Sequence, residues 1–190
     1  QLLCEYLQGS SHADRIISAE GVIAALRGRK TPAEVERVRK AVETSEEIYR
    51  RAFQAIRPGQ SEKDLSDFMH RQMVECGVTA AWDYDGCPAV NTGPESPVGH
   101  GAPTDLLVQR GHLLHFDFGV RQDDYCSDIQ RMVYILRPGE TDAPPEVKRG
   151  FEPVRRAIEN CRAVLKPGMM GKEADAAARR RPASRLVLDQ

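Results

Sequence analysis

Two mostly apolar runs separated by a short polar stretch restrict how this chain can fold more than any other feature. The runs are residues 113–120 and 125–136, with polar residues 121–124 between them. Alternating apolar residues are typical of half-buried strands, so the segment predicts an antiparallel hairpin that turns at 121–124. With the centre of the turn between residues 122 and 123, Asp117 faces Asp128 on the neighbouring strand. The predicted hairpin therefore carries two carboxylates on one face.

The two faces of this hairpin differ in chemistry. One is mainly apolar and is expected to pack on the core; it carries Leu114, Phe116, Phe118 and Val120, opposite Arg131, Ile129, Ser127 and Tyr125. The other carries the aspartates together with His115 and Gln130. His115 is either a group that supports the aspartates or a packed, hydrogen-bonded histidine.

Facing carboxylates repel each other unless a proton or a cation lies between them. Side chains directly opposite on antiparallel strands have Cβ atoms about 4.5–5.5 Å apart, which suits a shared divalent ion. Hard oxygen ligands on a rigid hairpin favour manganese, cobalt or zinc. The alternative is that one aspartate caps a turn or pairs with Arg131 and that no metal is held.

A further candidate lies in the Gly- and Pro-rich residues 91–103, which precede the hairpin and contain His100. Their composition predicts an ordered loop, where an imidazole can face a substrate. A single loop histidine is more often a surface residue, so His100 matters only together with the aspartate pair.

Helix signals lie on both sides of the strands, as N-terminal caps and as Pro-Gly stops. They predict helices over residues 18–26, from Thr31 to Pro58, from Ser61 to Gly77, over 145–165, and from there a shorter one to Arg181. Helices combined with antiparallel strands place the chain in the α+β class.

Two of these helix ends match each other at one constant offset in the sequence. Pro58-Gly59 corresponds to Pro167-Gly168, and Lys63 corresponds to Lys172. In both places a long amphipathic helix precedes Pro-Gly and a shorter one follows. A duplication would explain the match, although Pro-Gly also commonly follows helices that are not duplicated.

Composition limits the classes of partner. Lys and Arg number 27 and Asp and Glu 28, so the net charge is −1 and no basic surface favours nucleic acid. The longest apolar stretch, residues 22–26, is too short to span a membrane, and the first residues lack a secretory signal pattern. Five scattered cysteines fit reduced thiols. We therefore expect a cytoplasmic protein that binds neither nucleic acid nor membrane.

Four segments in order resemble the first half of the pita-bread metallopeptidases. They are residues 91–94 (Asn-Thr-Gly-Pro), 100–103 (His-Gly-Ala-Pro), 117–119 (Asp-Phe-Gly) and 125–131 (Tyr-Cys-Ser-Asp-Ile-Gln-Arg). The similarity covers about residues 15–176. This superfamily contains aminopeptidase P, prolidase, methionine aminopeptidase and creatinase, and its fold is a pseudo-twofold duplication, which agrees with the repeated Pro-Gly pattern.

The resemblance implies roles for three residues. Asp117 and Asp128 would be two of five ligands to a dinuclear divalent metal centre, with manganese first and cobalt or zinc as alternatives. His100 would position the scissile amide while a metal-bridging hydroxide attacks the peptide bond that precedes proline. A peptide of the Xaa-Pro type would be the substrate, and the full-length form would be a homodimer.

The resemblance also predicts an incomplete domain. Residues 1–27 are expected to be a linker or the tail of an N-terminal domain, 28–181 an incomplete catalytic domain, and 182–190 an atypical tail. The later ligands of the family, one His and two Glu, find no match after Asp128. Gln130 replaces a small hydroxyl residue and Asp124 a Gly of the family pattern.

We therefore expect an inactive or weakly active fragment of an Xaa-Pro peptidase. Two alternatives are a non-catalytic pita-bread binding module and a creatinase-like C–N hydrolase. The residues that distinguish dipeptidase, aminopeptidase and creatinase activities lie largely in the parts of the family's sequences that have no counterpart here.

Overall fold

Helices and short strands follow one another in an α+β order in the computed structural model, which describes residues 2–97 and 101–179. The helices are α1 (Leu2–Tyr6), α2 (Glu20–Gly28), α3 (Pro32–Ala55), α4 (Glu62–Glu75), α5 (Pro145–Val164) and α6 (Gly171–Ala178). The strands are β1 (Thr79–Ala80), β2 (Ala89–Thr92), β3 (Leu113–Phe118), β4 (Val120–Gln122), β5 (Tyr125–Cys126) and β6 (Ile129–Tyr134).

The chain divides into two units, Gln1–Ile135 and Leu136–Gln190. All six strands belong to the first unit, and in the second α5 contacts α6. Neither α1 nor α2 has a buried residue. Within the described residues, no helix combines the length and apolar character needed to cross a bilayer. The predicted tail 182–190 and the predicted helix end at Arg181 lie outside the described residues.

Side-chain caps begin the two long helices of the first unit, as the sequence predicts. The Thr31 hydroxyl accepts a hydrogen bond from the Glu34 amide, and the Glu34 carboxylate accepts one from the Thr31 amide. Ser61 and Asp64 form the same reciprocal pair at the start of α4. Each cap satisfies two backbone groups that a helix start otherwise leaves unpaired, so the helix begins at a defined residue.

The two predicted strands are each divided in two, so the hairpin takes part in two antiparallel sheets. One sheet has the order β2-β3-β6 and the other β1-β4-β5. The first strand is interrupted at Gly119, and the second at Ser127 and Asp128. A bend at these residues separates the two sheets, and we call it the hairpin joint.

The core of the first unit lies between the sheets and the helices α3 and α4. On the predicted apolar face of the hairpin, Leu114, Phe116, Phe118 and Val120 have no exposed surface, and Ser127 is buried. Ile129 and Tyr125 are partly buried and Arg131 is exposed, so the prediction holds for the first strand and only in part for the second. Helix α3 contacts β4 and β5, and α4 contacts β1 and β2. Tyr49 of α3 packs edge-on against Phe116 and Phe118, in an arrangement that aromatic rings favour.

The repeated Pro-Gly pattern is visible in local geometry. Ile56 and Leu165, which follow α3 and α5, have φ of −61° and nearly equal ψ of 129° and 125°. Gly59 and Gly168 both adopt positive φ, 93° and 85°. The helices α4 and α6 then start at Glu62 and Gly171, which are related by the same offset as the two glycines. Both units therefore contain the same helix, Pro-Gly turn and helix.

Candidate functional site

The predicted register of the hairpin is wrong by two residues. The structure pairs Asp117 with Gln130, and Arg121 with Cys126, instead of Asp117 with Asp128. The turn is tighter than predicted, because only Asp123 and Asp124 form its tip and both have positive φ, 50° and 66°. Successive left-handed residues make a two-residue turn whose twist matches the flanking strands, and aspartate tolerates this conformation better than most residues.

A shift of two residues preserves the alternation of side chains along the strands, so the corrected register still favours one face for Asp117 and Asp128. The pairing of Phe118 with Ile129, continued by one step, places Asp128 opposite Gly119. The two carboxylates are therefore diagonal neighbours across the joint, a relation in which Cα atoms lie about 7–8 Å apart. Asp117 is 8% exposed, whereas Asp128 is exposed.

The Asp117 carboxylate is only half satisfied. Its Oδ2 accepts a hydrogen bond of 2.9 Å from Nε2 of Gln130. Its Oδ1 is buried and has no hydrogen-bond partner among the described residues. A buried carboxylate oxygen without a partner is costly, so Oδ1 is an acceptor that a cation or a further donor would satisfy.

A series of polar contacts continues from Gln130 to the loop after β2. Oε1 of Gln130 lies 3.2 Å from Nε2 of His115, and Nδ1 of His115 lies 3.2 Å from Oδ1 of Asn91. Nδ2 of Asn91 donates to Ser96 Oγ and to the Pro97 carbonyl, both at 3.2 Å. His115 is therefore not an isolated packed residue, since it connects the loop after β2 to the partner of Asp117.

Three side chains fix the hairpin joint from the core side. The Ser127 hydroxyl accepts from the Val120 amide at 2.9 Å and lies 2.7 Å from the hydroxyl of Ser45 on α3. The Tyr49 hydroxyl donates to the Ile129 carbonyl at 2.6 Å. Burial raises the pKa of Tyr49, and the nearby charge of Asp117 adds to this effect, so the hydroxyl remains a donor. These bonds hold the residues on both sides of Asp128.

Glycine is required at position 119 because another backbone approaches it. A Cβ atom there would lie 2.0 Å from the carbonyl oxygen of Ser127 and 3.0 Å from Cβ of Ala81. The Gly119 carbonyl accepts from the Ala81 amide at 3.1 Å and from the Cys87 thiol at 3.2 Å. Only glycine allows the strands to meet this closely where the hairpin bends.

The predicted histidine His100 lies outside the described residues. Two other described histidines have structural contacts: His70 Nε2 lies 2.8 Å from the Cys87 carbonyl, and Nδ1 of His112 lies 3.4 Å from the Thr92 hydroxyl. His12 is exposed in the N-terminal segment. The part of the chain that the structure describes contains no group of three or more His, Cys, Asp or Glu side chains arranged to hold a metal. The described residues around Asp117 and Asp128 therefore do not form such a group.

Sequence reasoning missed two polar residues. Asn91 gives no separate signal, because its part in the site depends on the pairing of β2 with β3, which places it beside His115. Glu62 lies at the start of α4, far from the aspartates in sequence, yet it is fully buried and bonded to the end of β2 and to the loop after it.

Comparisons with known proteins identify the family of this chain. The model of metallopeptidase family M24 matches residues 36–187. The chain is 31% identical over 169 residues to the uncharacterized peptidase YqhT of Bacillus subtilis. This match covers 89% of this chain and 45% of that protein. It is 28% identical over 178 residues to the Xaa-Pro dipeptidase of Pyrococcus furiosus, and this match covers 93% of this chain and 49% of that protein.

A solved structure, that of the X-Pro aminopeptidase from Thermotoga maritima, superimposes with a TM-score of 0.73 at 30% identity. The match covers 84% of this chain and 43% of that one. The prediction of a partial pita-bread fold is thus confirmed, and the chain spans about half the length of the curated relatives it matches. The family match extends over most of the sequence and includes both aspartates. This chain belongs to metallopeptidase family M24.

Proposed function

We propose that this chain carries the first half of the catalytic domain of a metal-dependent Xaa-Pro peptidase, and that Asp117 and Asp128 are two of its metal ligands. The observation that carries the proposal is the buried Oδ1 of Asp117, which has no partner among the described residues, with a second carboxylate two residues before its strand partner Gln130. Both are hard oxygen donors, which suit a divalent cation. The catalytic region on this proposal is 28–181, as the sequence indicates.

The donor set fits a metal in part. Two carboxylates leave several coordination positions to other ligands, since divalent cations in proteins take about four to eight. When bound, two such ions, manganese first among them, would polarise the scissile carbonyl and activate the attacking water. Asp117 and Asp128 would hold the ions on this side of the site, and His100 would orient the amide of the peptide.

The names of two relatives support a substrate whose scissile bond precedes proline, because one is an Xaa-Pro dipeptidase and another an X-Pro aminopeptidase. We infer the same substrate class here. We also infer that the full-length form is a homodimer, which size-exclusion chromatography with light scattering would test. A monomeric mass at micromolar concentration would contradict that inference.

Metal titration tests the ligand assignment. We expect the chain to bind Mn²⁺ or Co²⁺ weakly in isothermal titration calorimetry and Asp117→Ala to lose the binding. The control Asp67→Asn removes an exposed carboxylate on α4 and is expected to bind like the wild type. If neither metal binds to the wild-type chain, the ligand assignment is wrong and a non-catalytic binding module becomes the better account.

Hydrolysis of a dipeptide such as Ala-Pro in the presence of Mn²⁺ tests the remaining claim. A site with two carboxylate ligands is expected to give no measurable turnover by this chain alone. Robust turnover that survives repurification would contradict the partial-site account. Turnover that is retained in Asp117→Ala would point to a contaminating peptidase.

A further inference from the structure

A buried carboxylate joins the two ends of the loop that follows β2. Glu62, the first residue of α4, has no exposed surface. Its Oε1 accepts from the Thr92 amide and the Ser96 hydroxyl, both at 2.7 Å. Its Oε2 accepts from the Thr104 amide at 2.8 Å and from the Thr104 hydroxyl at 2.7 Å. Four donors thus surround one carboxylate.

This donor set suits a carboxylate and no neutral side chain of the same shape. A carboxylate offers about four lone-pair sites and no donor, which matches two amides and two hydroxyls. A glutamine would direct an NH2 group at either the Thr92 amide or the Thr104 amide. One buried backbone N–H would then lose its acceptor, which costs more than an ordinary exchange of hydrogen bonds.

Thr92 and Thr104 flank the loop 93–103, of which the structure describes 93–97 and 101–103. The chain after Thr104 is already fixed to the start of α4 by backbone bonds, from the Glu62 amide to Leu106 and from the Lys63 amide to Thr104. Thr92 belongs to β2. Glu62 therefore ties the end of β2 to the segment beside α4.

The effect of Glu62 reaches the aspartate face through Ser96. The Ser96 hydroxyl bonded to Glu62 also accepts from the side-chain amide of Asn91. That contact leaves Oδ1 of Asn91 facing His115, which in turn contacts Gln130, the donor to Asp117. A continuous series of contacts of 2.7–3.2 Å thus runs from Glu62 to the candidate metal ligand.

A role in starting the helix does not explain Glu62. Ser61 and Asp64 already cap α4 reciprocally. The equivalent position in the second unit is Gly171, which has no side chain, and α6 still begins there after the same Pro-Gly turn, with Glu173 as the capping carboxylate. The helix start therefore needs no glutamate at this position.

We propose that Glu62 is a positioning residue that closes the base of the loop 93–103 and thereby fixes the Asn91 amide against His115. The relevance of this to catalysis rests on the proposed function, because it takes the aspartate face as the metal site. We call the four hydrogen bonds from Thr92, Ser96 and Thr104 to Glu62 the clamp. Its effect on the loop can be tested without metal or substrate.

Amide hydrogen exchange, followed by NMR on the full chain, compares Glu62→Gln with Glu75→Gln. Glu75 is an exposed glutamate at the end of α4, so its variant controls for the loss of one charge. In Glu62→Gln we expect exchange at the Thr92 or Thr104 amide to accelerate about tenfold or more. The side-chain amide signals of Asn91 should shift, while the amides of β3 keep their protection. In Glu75→Gln all of these should be unchanged.

Two results would overturn the clamp. The first is unchanged amide exchange at both Thr92 and Thr104 in Glu62→Gln. The second is faster exchange at these amides together with an equal increase throughout β3, because that pattern indicates general destabilisation only. If Glu62→Gln does not fold, Ser96→Ala decides: shifted Asn91 signals with an unchanged Thr104 amide support the clamp, and unchanged Asn91 signals contradict it. A wild-type chain that fails to bind Co²⁺ would contradict the proposed function and leave this result standing.

Discussion

Gln130 donates to Asp117 across the β3–β6 pair, over 2.9 Å between Nε2 and Oδ2, while the other oxygen of Asp117 remains buried and has no partner among the described residues. The carboxylate is thus held in a defined orientation with one acceptor position available. This arrangement determines how the metal-free chain should respond to substitution on either side of the hydrogen bond.

Replacement of Asp117 should separate stability from metal binding. In Asp117→Asn the charge of a partly unsatisfied buried group is lost, so we expect the unfolding free energy of the metal-free chain to rise by about 1 kcal/mol. Any increase in Tm on addition of Mn²⁺ should disappear at the same time. Thermal unfolding with and without metal measures both effects, with Asp67→Asn as the control. A variant that is less stable without metal and still stabilised by Mn²⁺ would show that Asp117 is a structural acceptor.

Removal of Gln130 should act in the opposite direction. Gln130→Ala takes away the one donor seen at Asp117 Oδ2 and one partner of His115, so we expect a loss of about 1–2 kcal/mol in urea unfolding of the metal-free chain. Gln109→Ala, at an exposed loop position, should change the free energy by less than about 0.5 kcal/mol. Equal stability of the two variants would mean that water replaces the Gln130 amide without cost.

The hairpin joint should tolerate no side chain at position 119. Gly119→Ala would place a Cβ atom 2.0 Å from the Ser127 carbonyl oxygen, and relief of that contact requires movement of backbone. We expect a loss of about 3 kcal/mol or more, or a failure to fold. In Gly150→Ala, within α5, nothing lies within 4 Å of the added Cβ, so stability should be unchanged or rise by up to about 1 kcal/mol. Urea unfolding of both variants tests the contrast, and a stable Gly119→Ala would contradict the close approach.

Acid should weaken the contact between the start of α3 and the hairpin. The Thr31 amide, and after it the hydroxyl of Tyr125, lower the pKa of Glu34 from 4.5 to about 2 by hydrogen bonding to its carboxylate. A carboxyl whose pKa is lower in the folded state stabilises the fold above pH 4.5, and this contribution is lost as the pH falls towards 2.

The stability difference between wild type and Glu34→Gln should therefore shrink over that interval. Urea unfolding at several pH values measures it, and Glu36→Gln controls for the loss of a neighbouring exposed carboxylate. A difference that is the same at pH 2 and at pH 5 would contradict the assignment.

Local signals predicted the starts of α3 and α4 and the burial of the first strand of the hairpin correctly. Thr31 and Ser61 act over three residues, so their caps can be recognised without knowledge of the rest of the chain. The alternation from Leu114 to Val120 likewise reports burial directly. Such features depend on neighbours in sequence, and for this reason a single sequence is sufficient to find them.

The register and the supporting network could not be obtained in the same way. The choice between a tip of four polar residues and one of two depends on the left-handed conformations of Asp123 and Asp124, which composition does not specify. Glu62 lies 42 residues from Thr104 in sequence, and its burial becomes visible only when both meet at the loop base. The part played by Gln130 follows from the corrected register, since the predicted one placed Asp128 opposite Asp117.

The hairpin joint also makes the site sensitive to packing in the core behind it. Asp117 belongs to the β2-β3-β6 sheet, whereas Asp128 lies in the bend between that sheet and the next. The distance between the two carboxylates therefore depends on the angle at which the two sheets meet. Ser45 on α3 lies 2.7 Å from Ser127, the residue before Asp128, so a substitution at Ser45 in the core would alter the joint that holds Asp128.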